Sequence, residues 1–126
     1  MDRSHPGLTE QDVTDIDARR REFHVAWFVG YRKGDVDPYL DEVLEAMRSR
    51  IRENEGLRAG TPVLASQTDG ERVTPFDVQA REFGTARFLG GYQMREIDEY
   101  LDDVTDMLAR LDAENEALRG SSERRR

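Results

Sequence analysis

The sequence predicts an all-α protein of tandem short helix–loop–long helix repeats that pair as a coiled coil, and three observations carry that expectation. The two halves of the chain match. VTDIDARRREFHVAWFVGY at 13–31 sets against VTPFDVQAREFGTARFLGGY at 73–92, DVDPYLDEV at 35–43 against EIDEYLDDV at 96–104, and RENEGLR at 52–58 against AENEALR at 113–119. About 20 of roughly 47 paired positions are identical, too many for two helices that merely share a composition. Next, both halves carry an apolar alternation of four and three residues, the spacing of a heptad seam. Lastly, 37% of the 126 residues are charged, against about 25% in an average domain. A chain so polar fills a narrow helix–helix seam more readily than a deep core.

The elements follow in order. Residues 1–12 and the basic tail 120–126 read as disordered ends. Copy one covers 13–58 and copy two 73–119. Between them, 59–72 holds Gly60, Pro62 and Gly70 without a sustained period and reads as a linker. Each copy opens on a short helix. In copy two Thr74 is placed to N-cap, Pro75 suits the first helical position, and Asp77 puts a carboxylate at the third. Copy one has Thr14 and Asp17 at the matching positions, without the proline. The short helices are expected to end near Phe23 and Phe83.

The long helices carry the seam. Copy one spaces Val36, Leu40, Val43, Met47, Arg50, Asn54 and Leu57; copy two spaces Ile97, Leu101, Val104, Leu108, Leu111, Asn115 and Leu118. Arg50 interrupts copy one at a d position, and both asparagines fall at a, where an Asn costs stability but selects a paired register. A broader bundle, with Asn54 and Asn115 facing solvent at its edge, ranks second. Helices of about three heptads are marginal alone, so pairing is expected to accompany folding. The 14-residue linker allows pairing within one chain or between two chains, and the sequence does not choose between them.

Between the helices lie HVAWFVGYRKGD (24–35) and GTARFLGGYQMRE (84–96). Each sets apolar residues beside cations: Trp27 and Phe28 before Arg32 and Lys33, then Phe88 and Leu89 between Arg87 and Arg95. In one reading these aromatics fold inward and plug the end of the coil. In the other they stand exposed as wedges for a membrane interface, where each buried ring contributes about 1.5–3 kcal/mol and several loops aligned by the coil reinforce one another.

These motifs together resemble the N-terminal domain of the DivIVA family of bacterial division and polarity proteins. VTPFDVQAREF, GGYQMREIDEYLDDV and AENEALR carry the likeness in copy two; VTDIDARRREF, FVGY, DVDPYLDEV and RENEGLR carry it in copy one. The resemblance implies a parallel dimeric coiled coil whose crossed loops present apolar and basic residues to negatively curved membrane at septa and poles. It matches Phe28, and either Phe88 or Leu89, to the family's inserting aromatic. Arg32 and Gln93 stand where the family commonly has an acidic helix cap, which leaves Asp35 as the expected cap in copy one. Val29 and Gly90 stand where a basic residue is common. No counterpart of the family's long C-terminal coil is present, so a small accessory member is expected.

Other chemistry finds little footing. The net charge of −8 opposes nucleic acid, and zero Cys leaves no thiolate chemistry or disulfide frame. His5 and His24 lack companions for a metal site and read as ordinary loop residues. Asp98, Asp102, Asp103 and Asp106 line the outer face of a helix without calcium-loop spacing. The run Arg19–Arg21 reads as a solvated face. No cofactor motif or catalytic constellation is found, so no enzyme is expected. The expected function is a cytoplasmic adaptor, at most peripheral on the inner membrane, that supports division or cell-shape machinery; the alternative is a soluble module that binds a larger DivIVA-like scaffold without touching lipid.

Overall fold

A computed structural model describes residues 7–60 and 73–124, with side chains through residue 120. The first six residues of the expected N-terminal segment and residues 61–72 of the expected linker lie outside the described residues. Thr9 opens helix α1 (Glu10–Ala18) with a capping box: its N–H donates to Asp12 Oδ2 at 2.8 Å. The cap was expected at Thr14 with Asp17, but Thr14 lies inside α1 and donates its hydroxyl to the Glu10 carbonyl at 3.1 Å. Leu8 and Val13, both buried, sit just before the cap and at the fourth helical position, where they staple the helix start. Thus part of the segment 1–12, expected to be disordered, is structured.

A 3-10 turn (Arg19–Glu22) leads to β1 (Val29–Arg32) and the long helix α2 (Lys33–Arg58). Gly60, at φ +78°, takes the left-handed conformation that closes the helix end, with the Ala59 and Gly60 N–H groups donating to the Glu55 and Leu57 carbonyls. In the second half α3 (Pro75–Ala80) starts as its sequence expects, with the Thr74 hydroxyl accepting from the Asp77 N–H at 3.0 Å. Strands β2 (Thr85–Arg87) and β3 (Gly91–Tyr92) follow, then α4 (Met94–Arg124). That last helix runs through 120–124, where a disordered tail was expected.

An all-α chain of tandem repeats pairing as a coiled coil is not what forms. The segments between the helices build a three-stranded antiparallel sheet in the order β2-β1-β3, so one strand from the first half lies between two from the second. Backbone groups brought together at one end of a helix pair need partners, and strand pairing supplies them. The glycines make it sterically feasible. A Cβ on Gly30 would collide with the Tyr92 carbonyl, and one on Gly91 would sit 2.6 Å from the Tyr31 carbonyl.

Behind the sheet, α2 and α4 of the same chain lie side by side and run in the same direction, from the shared sheet to an Asn54–Asn115 contact near their far ends. Of the seam residues, Val36, Leu40, Val43, Met47, Ile97, Leu101, Val104, Leu108 and Leu111 are buried, and Leu57 and Leu118 are half-buried. Asn54 and Asn115 are buried rather than solvent-facing; Asn115 Nδ2 donates to Asn54 Oδ1 at 2.8 Å, and Asn54 Nδ2 to the Leu111 carbonyl at 3.2 Å. Arg50 is buried among acceptors: its Nε donates to Asp112 Oδ1 at 2.7 Å and its Nη2 to the Val73 carbonyl.

Candidate functional site

The site is the outer end of the sheet, built by residues 24–33 and 84–95. It begins with a set of reciprocal ties between the halves. Tyr31 donates its hydroxyl to Asp98 at 2.8 Å, and Tyr92 donates to Asp37 at 2.7 Å. The His24 N–H donates to Glu96 at 2.7 Å, and the Gly84 N–H to Asp35 at 2.8 Å. Phe23 packs edge-on against Tyr92 and Tyr100, while Phe83 packs against Tyr31 and Tyr39. In each case a residue of one half is held by the helix or strand of the other.

Electrostatics follow this geometry. The His24 N–H, with its imidazole Nδ1 2.7 Å from Oε2, holds the Glu96 carboxyl below the usual carboxylate range. Burial, then the bond to Asp37 and its negative charge, pushes the Tyr92 hydroxyl up from 10.0 to about 12. Burial likewise raises Tyr31, with Asp98 adding to it, and it raises Tyr39 and Tyr100. Asp35 is not the helix cap that was expected. Its carboxylate is taken by Gly84, and α2 starts at Lys33 without a side-chain cap.

The inward plug is thus made by Phe23, Phe83 and the tyrosines, and the four apolar residues of the loops are left outside. Trp27 is 73% exposed, Phe28 70%, Phe88 72% and Leu89 53%, with Val29 beside them at 45%. They lie together, since the Phe88 N–H donates to the Phe28 carbonyl at 2.7 Å and Val29 faces Arg87 across the β1–β2 ladder. Phe88 and Leu89 both adopt left-handed backbone, at φ 52° and 65°, as 88–90 carry the chain from one side of β1 to the other. For residues with a Cβ that conformation costs about 1–2 kcal/mol each.

Arg87, at the end of β2, stands beside this apolar tip opposite Val29, whereas Arg32, at the far end of β1, lies beside Gly84 and Asp35, and Lys33 opens α2 at the same end. Among the described residues none of the three has a carboxylate within ion-pair distance; the Lys33 ammonium lies 5.5 Å from the Tyr92 ring centroid. Arg95, in the first turn of α4, pairs instead with Glu99 at 3.4 Å. The N-terminus of α2 lies at the other end of the sheet, after β1, and α4 begins after β3. The cation at the tip is therefore Arg87, on a chain of net charge −8.

Several residues do more than their sequence setting suggests. His24, expected as an ordinary loop residue, clamps Glu96, and Arg20, expected on a solvated face, bonds Asp41 at 2.7 Å and the Asp37 carbonyl at 3.2 Å. Arg19 pairs with Asp103 at 2.7 Å. The signal that marks the ties was the repeat itself: Tyr31 with Tyr92, and Asp37 with Asp98, are identical pairs. No helix among the described residues is long and apolar enough to cross a membrane. No family model, curated protein or solved structure matches the chain.

Proposed function

We propose that the chain is a non-enzymatic adaptor of the DivIVA type that docks its tip on an anionic membrane surface, at the inner face of a bacterial membrane, in support of division, septum or pole organisation. The observation that carries the reading is the grouping of exposed Trp27, Phe28, Phe88 and Leu89 at one end of the sheet beside Arg87, which has no ion-pair partner among the described residues. Monomeric surfaces scatter large apolar side chains singly, and a contiguous group rimmed by polar residues marks an interaction site. Apolar wedges beside a cation suit the headgroup boundary of an anionic bilayer, because the rings enter the acyl edge while the Arg87 guanidinium meets phosphates. The sequence resemblance supplies the link to division and polarity.

Trp27 is the only tryptophan, so it reports on its own insertion. Phosphatidylglycerol vesicles are expected to sediment the protein and shift Trp27 emission to the blue, and neutral phosphatidylcholine vesicles to do so far less. Trp27→Ala with Phe28→Ala is expected to weaken vesicle binding by more than tenfold, since each buried ring contributes about 1.5–3 kcal/mol before ordering costs. Unchanged sedimentation of that folded double variant overturns the reading. Retention by a DivIVA-like scaffold without any vesicle binding favours the lipid-free module instead.

A further inference from the structure

Arg50 is the one charged residue in the apolar alternation of either long helix, and its counterpart in the second copy is Leu111. It is 2% exposed. Its guanidinium is satisfied by Asp112 Oδ1 at 2.7 Å, the Val73 carbonyl and the Ala46 carbonyl of its own helix. The first two belong to the second half, and the first half has no substitute for them. The residue matching Asp112 is Ile51, and the residue matching Val73 is Val13, which lies inside α1.

We propose that Arg50 is a pairing selector: it makes α2 accept an α4 helix and reject a second α2. A parallel α2–α2 pair would set two buried guanidinium groups against each other at the same level, with isoleucine where the carboxylate should be. A buried charge stripped of its partner is costly, and a like charge opposite compounds the cost. Glu53 does not discriminate: it binds Arg119 and Asn115 of α4, whose counterparts in α2 are Arg58 and Asn54, and its own counterpart Glu114 holds Arg58 in the same way. The asparagines do not discriminate, because Asn54 matches Asn115. The selection holds whether α4 comes from the same chain or is exchanged from another copy. Its consequence is that every tip carries one Trp27–Phe28 loop and one Phe88–Leu89 loop, never two of a kind. This inference stands independently of what the tip binds.

The chain has no cysteine, so introduced ones report pairing without background. Leu57→Cys and Leu118→Cys in one full-length chain place thiols one turn beyond the Asn54–Asn115 contact and leave that contact intact. After oxidation, peptide mapping is expected to find 57–118 links, with 57–57 links rarer by about tenfold or more. Adding Arg50→Leu, or Arg50→Met if the first variant loses its helical circular dichroism, is expected to raise the 57–57 share. Comparable yields of 57–57 and 57–118 with Arg50 in place overturn the proposal. So does an unchanged ratio in a folded Arg50 variant.

Discussion

At the scale of single residues, the tip holds an apparent contradiction: Phe88 and Leu89 are apolar, exposed and in left-handed backbone all at once. Nothing in folding rewards that combination, since a glycine would be cheaper in backbone energy and an exposed side chain contributes no burial. Leu89→Gly is therefore expected to leave the melting temperature unchanged or raise it, with a gain of up to about 1–2 kcal/mol, while weakening vesicle binding. Thermal denaturation and sedimentation on the same variant check both halves of the statement. The tyrosines offer a second test. A hydroxyl whose folded pKa is raised contributes stability that is complete below its ordinary value of 10.0 and is lost as pH climbs through about 12, the value for Tyr92. All four tyrosines are shifted upward, so phenolate absorbance near 295 nm is expected to lag in the native protein relative to the denatured chain, and to rise together with unfolding.

At the scale of elements, the sheet is held by close approach more than by length. Its strands are only two to four residues long, and a free-standing assembly of that size is marginal. What keeps it is the anchoring at both ends: the Ala26 N–H to the Gly91 carbonyl at 2.8 Å, and the Arg32 N–H to the Gly84 carbonyl at 2.8 Å. Gly30→Ala would drive a Cβ into the Tyr92 carbonyl and to 2.9 Å from the Ala26 Cβ, contacts that only a backbone shift relieves. That variant is expected to lose about 1–3 kcal/mol and to loosen the tip, read as faster hydrogen exchange at Ala26 and Gln93 ahead of the helices. Thr74→Ala tests the start of α3 and is expected to cost about 1 kcal/mol through the lost cap.

For the whole molecule, the reciprocal ties mean that neither half holds its own core. Tyr100 donates to the Ile16 carbonyl at 2.9 Å, Arg50 binds the Val73 carbonyl, and Phe23 and Phe83 each pack on rings of the opposite half. Unfolding is accordingly expected to be a single transition in which near-ultraviolet tyrosine signals and far-ultraviolet helix signals coincide. Leu108→Ala, at a fully buried position of α4, is expected to lower stability by about 2–5 kcal/mol with the two signals still moving together. Separate transitions for the two signals would mean that the halves fold independently.

The internal repeat, the Thr74 cap, the apolar residues of α2 and α4 and the apolar-cationic loops were all legible in the sequence, because each rests on local chemistry or on a spacing that recurs within one helix. The N-terminal cap departs from expectation for a local reason as well: the Thr9–Asp12 box lies outside the repeat, and Thr14, inside it, falls within α1. The sheet was not legible, since strands of two to four residues are too short to show alternation and the partner of Tyr31 is Tyr92, on the far side of a long helix. Whether the loop aromatics point in or out was equally undetermined. Only the tertiary structure decides it, because the space they would fill is already taken by Phe23, Phe83 and the tyrosines of the opposite half, and that competition for volume exists only once the halves are packed together.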